Sequence, residues 1–420
     1  MYSSLSLYIR RLGRSMWVRA SAFSLLAVAA AFASIFLEPY IPYGISTSMS
    51  VNAVDDILTI IASSMLTVTT FSLGIAVSAF NWAASSATPR ATTLLVEDAT
   101  TQNVLSTFLG AFLYSLIALV VLRTGAYGED GRVVLFLVTV IVVIVIVATL
   151  LRWIAHLTQI GRMGDMLDRV EEASLRSVDA RLRAPFLSCQ PLPDGYRLPR
   201  GNHEIFATTI GYLQHIDVAA LNEVAGDLDT RFAIRALPGT FIEPTRPLIE
   251  SERDLSSDEI GRVTSCCTFG KNRTFEQDPR FGVIVLAEIA SRALSPAIND
   301  PGTAISVITR LFRILHRWSE GAAAEDAHEV RYPLVYAPKL RMADLFDDAF
   351  TSIARDSAGM VEVSIRLQKT LAALAKMGPD EFREEAKRHA DLSFARASTG
   401  LKLRDDLEVV KSARAGRVAS

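Results

Sequence analysis

Two polar stretches in the second half of this sequence carry residue types that can do chemistry. The run "RTFEQD" (273–278) sets Glu276, Gln277 and Asp278 close to Arg273. The run "ALSPAINDPGTA" (293–304) sets Ser295, Asn299 and Asp300 just beyond Arg292. Neighbouring carboxylates suit general acid–base work, and polar groups gathered where two helix ends meet suit a small ligand or an ion. Gln277, Asp278, Arg292, Ser295, Asn299 and Asp300 therefore form a candidate loop site, with no assigned catalytic residue. Plain structure competes for the same side chains. Glu288 stands four residues before Arg292, a favourable helical pair. Asp300-Pro301 reads as an N-cap followed by a first-turn proline.

A third pattern lies in an apolar segment. Thr59, Ser63, Thr67, Thr70, Gly74, Ser78 and Asn81 recur at steps of three and four and so share one helical stripe. Small and hydroxyl residues arranged this way allow close helix packing, or they line a water-filled path. Ser106, Gly110 and Tyr114 form a shorter row that favours packing.

Other chemistry is poorly represented. The three cysteines (Cys189, Cys266 and Cys267) lack disulfide-framework or Cys-x-x-Cys spacing, which suits buried free thiols in a reducing compartment. The six histidines are scattered, none paired with a Cys or His at ligand spacing, so the reading is of no metal site and no cofactor. His156 reads as a side chain at the membrane exit. Phosphate-binding glycine loops, zinc-protease and nucleophile-elbow motifs do not occur. The sequence leans away from an enzyme.

The elements that must position these residues fall into two compositional halves. Residues 1–159 hold eight arginines, no lysine and seven acidic residues, against 43 basic and 45 acidic residues in the whole chain. Neither half has the basic excess of a nucleic-acid surface. Apolar runs long enough to span a bilayer occur at about 15–37, 55–83, 104–122 and 133–155. Arginines at the start of the first span and after the fourth place both termini in the cytoplasm. The fourth span, almost wholly Val, Ile, Leu and Phe, is expected to face lipid. No charged residue lies deep in a span, which counts against proton-coupled transport.

The pattern then becomes amphipathic, with a helix stopping at Pro185. Residues 160–255 read as a small α+β subdomain with turn-bounded short strands and one helix. Residues 256–420 read as helical, interrupted near 265–279, 296–300 and 319–342, with two or three helices after Asp344. The expected fold is thus a mainly α membrane protein: four transmembrane helices, then an α+β cytoplasmic domain with a long helical C-terminal part.

The block "RTFEQDPRFGVIVLAEIASRALSPAINDPGTA" resembles the signature of the bacterial integral-membrane family called domain of unknown function 2254. "TTFSLGIAVSAF", "QNVLSTFLGAFLYSL" and "GYLQHID" are similar to further blocks of that family. Where this chain has Thr88-Pro89-Arg90, the family pattern is Ser-Pro-Arg. The resemblance covers most of residues 15–360 and implies a membrane-plus-cytoplasmic architecture without an established activity. Stripe and soluble region together lead to an expected inner-membrane homo-oligomer in the lipid bilayer, channel-like or transporting, controlled by its cytoplasmic domain. The rival expectation is a membrane-anchored sensor or scaffold, and a membrane-surface enzyme ranks third.

Overall fold

The computed structural model describes residues 51–96, 98–124, 129–158, 161–193, 195–322 and 329–415, together with positions 18, 21, 25 and 29. The first expected span, 15–37, falls largely outside the described residues. Among the described residues, three helices are long and apolar enough to cross a membrane. These lie within α1 (Val51–Ser86), α3 (Ala99–Arg123) and α4 (Glu129–Leu157); a short α2 (Thr92–Val96) stands between the first two. Described residues up to Ser85, with Thr92–Asp165, form one compact unit, and Ser86–Ala91 with the chain from Met166 form another.

In the membrane unit, hydroxyl and apolar groups share the helix contacts. Val54 and Leu58 of α1 pack with Tyr114 and Ala118 of α3 and with Leu135 of α4. Ile61 and Met65 pack with Val104, Phe108, Ile146 and Trp153. Tyr114 shares a buried 3.0 Å hydrogen bond with Thr139. The Ser106–Gly110–Tyr114 row is buried, as helix packing requires. Large apolar residues of α4, including Leu137, Ile141, Ile144 and Leu151, are exposed, the face expected to meet lipid.

Helix α5 (Met163–Arg183) enters the other unit at Met166, and β1 (Cys189–Pro191), β2 (His203–Phe206), β3 (Gly211–Ile216) and α6 (Val218–Asp227) follow. Strands β4 (Phe232–Ile234), β5 (Phe241–Ile242) and β6 (Pro247–Ser251) follow, then α7 (Ser257–Ser265) and β7 (Cys267–Gly270). One sheet has the order β5-β3-β7, antiparallel throughout. The other has the order β1-β8-β4-β6-β2, where β8 is Tyr332–Ala337. Strand β8 runs parallel to β1 and β4, while β6 is antiparallel to β4 and β2. Both sheets thus take a strand from beyond residue 256, and those strands occupy two of the breaks in the helical pattern. Phe232, Ile234, Leu213, Leu248 and Val335 are fully buried in the shared core.

The helical part comprises α8 (Pro279–Ala293), α9 (Pro301–Ala322), α10 (Met342–Asp356), α11 (Val361–Leu374), α12 (Asp380–Gly400) and α13 (Arg404–Arg414). Among the described residues, four helices rather than two or three follow residue 341. Breaks at 357–360 and 401–403 divide what looked continuous, because helical periodicity persists across so short a turn. Phe346, Phe350 and Phe382 are fully buried among these helices.

Candidate functional site

Among the described residues, the stripe of α1 lies on an exposed face. Thr59, Ser63, Thr67, Thr70, Gly74, Ser78 and Asn81 are all exposed, whereas Leu58, Ile61, Met65, Ala76, Ala79 and Ala83 on the opposite side are buried. Ser63 donates to the Ile60 carbonyl at 3.1 Å, Thr67 to Ser63 at 3.1 Å, Thr70 to Leu66 at 2.5 Å and Ser78 to Gly74 at 2.9 Å. These back-bonds satisfy each hydroxyl proton within the helix, which makes the stripe tolerable in an apolar medium. The remaining lone pairs stay available as acceptors. A Cβ built on Gly74 would meet nothing within 4 Å.

The six loop residues divide between the two ends of α8, which its 15 residues set about 22 Å apart. At the amino end, Gln277 fastens to β3. Its side-chain oxygen accepts from the Ile216 amide at 3.0 Å, and its amide donates to the Ile216 carbonyl at 3.3 Å. Asp278, 2% exposed, caps α8 by accepting from the Arg280 amide at 3.1 Å and pairs with Arg273 at 2.7 Å. Gly239, at φ +95°, brings its Cα against this carboxylate, leaving no room for a side chain. Arg280 reaches across to Asp344 at 2.9 Å and Asp348 at 2.6 Å. Burial pushes the Asp348 carboxyl above its usual range despite the neighbouring guanidinium.

At the carboxyl end, local geometry accounts for the elbow. The amides of Ile298 and Asn299 donate to the Ser295 carbonyl at 3.1 and 2.8 Å, and Asp300 donates to Ala293 at 2.8 Å. Asn299 takes φ +50°, a left-handed conformation that asparagine tolerates better than most residues. Asp300 accepts from the Thr303 amide at 3.0 Å and hydroxyl at 2.6 Å, which hold its carboxyl below the usual range. Ser295 and Asn299 border an open cleft of about 680 Å³ that also includes Ser291, Asp356 and Met360. The expected Glu288–Arg292 pair does not form. Glu288 instead accepts from Thr88 at 3.1 Å and pairs with Arg90, while Arg292 is exposed. A distant loop outcompetes the helical neighbour because it delivers both a hydroxyl and a guanidinium to one carboxylate.

Two other arrangements carried little sequence signal. His156 is not merely interfacial: its ring sits 3.0 Å from the Asp98 carboxylate, and both side chains are about nine-tenths buried. Asp98 also caps α3 through the Thr101 amide at 2.7 Å. Arg181, 4% exposed, lines a cavity of about 310 Å³. In the sequence it is one arginine among several on an amphipathic helix. The three cysteines are free and buried. Burial pushes the Cys189 thiol up to about 12 and the Cys266 thiol up to about 11, and raises Cys267 as well. Among the described residues, no cluster of three or more His, Cys, Asp or Glu could hold a metal.

Long apolar helices followed by a mixed sheet-and-helix unit define a multi-pass membrane protein with a large folded appendage. More particularly, the chain belongs to the family described as predicted membrane protein (DUF2254), whose profile matches residues 13–373. It is similar to uncharacterized proteins of Mycobacterium bovis and Mycobacterium tuberculosis, each 25% identical over 342 residues and 79% of this chain. The chain spans 65% of the length of these curated relatives. No solved structure matches it.

Proposed function

We propose that this protein is a homo-oligomer of the bacterial plasma membrane, with four spans and both termini in the cytoplasm. In this reading the stripe of α1 lines a channel-like path between protomers, under control of the cytoplasmic unit. The supporting observation is the exposure of all seven stripe residues while the opposite face of α1 is packed. A row serving only contacts within the protomer would be covered. The Thr88–Arg90 loop, which follows α1 directly, is held to Glu288 of α8 and supplies a mechanical route for control.

Ion flux through proteoliposomes of the purified full chain tests this reading. Gly74→Leu has room within the protomer, so it should change flux while leaving the assembly size unchanged. Vesicles that stay silent with wild-type protein in the bilayer would refute the path. Loss of assembly in Gly74→Leu would assign the stripe to helix packing instead. The Arg181 cavity favours a second reading, a ligand sensor anchored by its membrane helices.

A further inference from the structure

Arg181 is an unusual group to leave inside a folded domain. It projects from α5 with its side chain almost wholly covered. Its Nη2 donates to the Gln277 carbonyl at 3.2 Å, and its Nη1 is buried without a hydrogen-bond partner. Among the described residues no carboxylate lies within ion-pairing distance of it. Asp278 helps from farther away, but its carboxylate is already committed to Arg273 and the Arg280 amide. Desolvation lowers the Arg181 guanidinium to about 10, which still leaves it charged at neutral pH. A buried cation with an unused donor is costly to maintain, and an anion delivered to it would offset that cost.

The rest of the lining suits such an anion. The cavity includes Asp217, Val218 and Ala219, the cap and first two residues of the ten-residue helix α6. Asp217 accepts from the Ala220 amide at 3.1 Å, so its carboxylate is occupied by its own helix. The amides of Val218 and Ala219 have no intrahelical acceptor, and the positive end of the helix lies with them. Leu187 and Ser188 also line the cavity, at φ +57° and +61°. The Ser188 carbonyl is fixed by the Arg331 and Tyr332 amides at 2.9 and 3.0 Å. Glu276 is in the same lining. With Asp217, it disfavours a guest bearing several anionic groups and selects for a single one on a small molecule.

We propose that this cavity binds a small ligand through a single oxyanion, carboxylate or phosphate, with Arg181 and the amino end of α6 as its receptors. The inference does not rest on the channel reading, because binding is measured without flux. Thermal unfolding and titration calorimetry on the detergent-solubilised full chain, with sodium acetate or inorganic phosphate against sodium chloride of equal ionic strength, test it.

Wild-type protein should show saturable stabilisation by at least one of the two anions. Acetate alone points to a carboxylate ligand, and phosphate alone to a phosphate monoester. Arg181→Gln should weaken binding by at least about tenfold, the scale of one lost charge-assisted hydrogen bond. Arg176→Gln, exposed on the same helix and paired with Glu172, should bind as wild type. If Arg181→Gln does not fold, Ala219→Glu carries the test. Ala219 is exposed, a first-turn acid favours the helix, and its charge should repel the anion. Stabilisation no greater than that of chloride for both anions would overturn the proposal, as would binding unchanged in the folded variants.

Discussion

Asp278 combines two roles whose separate costs can be worked from its surroundings. Asp278→Ala removes the N-cap acceptor of α8, worth about 1 kcal/mol, and strands Arg273. Breaking a fully buried pair costs about 3–5 kcal/mol. Arg273 keeps 18% of its side chain in contact with solvent, so about 2 kcal/mol is the appropriate share. The sum is about 3 kcal/mol. Asp278→Asn keeps a good cap and an acceptor for Arg273 but loses the charge, and should cost about 1 kcal/mol. Hydrogen exchange of the α8 amides in the detergent-solubilised chain reads these values as opening free energies. Exchange should accelerate by about two orders of magnitude in Asp278→Ala and by less than one in Asp278→Asn. A cost below about 1 kcal/mol for the alanine variant, or equal costs for both, would refute this division of roles.

Burial among Phe346 and Phe350 holds the His389 ring below its ordinary value, against the opposing pull of Asp347. Because the folded state resists protonation, the stability of the α10–α12 packing should be full above about pH 6.5 and fall as the solution is acidified below it. Exchange of α12 amides between pH 7.5 and 5.5 checks this, His389→Gln should flatten the profile, and stability that rises on acidification would contradict it. At the elbow, Asp300→Ala should lower stability by about 0.5–2 kcal/mol and Asp300→Asn should largely restore it; denaturant unfolding measures both. Asn299→Val, forced into a left-handed backbone, should cost about 1 kcal/mol or more by the same assay. Gly239→Ala should destabilise the α8 amino end by at least about 1 kcal/mol, because its φ and the Asp278 carboxylate both oppose a Cβ; unchanged exchange of the α8 amides would count against this.

Features set by local chain chemistry were legible in the sequence. The Asp300-Pro301 restart, the end of α5 before Pro185 and the apolar lengths of α1, α3 and α4 follow from caps, proline and composition. The stripe could be read because it needs only helical spacing. Features set by distant partners were not legible. Nothing near Glu288 announces Thr88 and Arg90, and nothing near His156 announces Asp98. Gln277 and Asn299 looked like parts of one site because they lie close in the sequence, yet a full helix separates them. Strand β8 is not legible locally because "YPLVYA" acquires its role only by pairing with β1 and β4. Arg181 offered the weakest signal, since its significance lies in the partners it lacks.

Aqueous accessibility of the α1 stripe tests the central claim most directly. The native thiols are buried and their pKa values raised, so they contribute little reaction with a membrane-impermeant thiol reagent. In the assembled, membrane-inserted protein, cysteines replacing Ser63, Thr67, Thr70 and Ser78 should react, while cysteines replacing Ile141, Ile144 and Leu151 on the lipid-directed face of α4 should not. All three of those control positions are exposed on the protomer, so the contrast depends on which face meets water. Protection at every stripe position in protein that has folded and inserted would contradict the hydrated path.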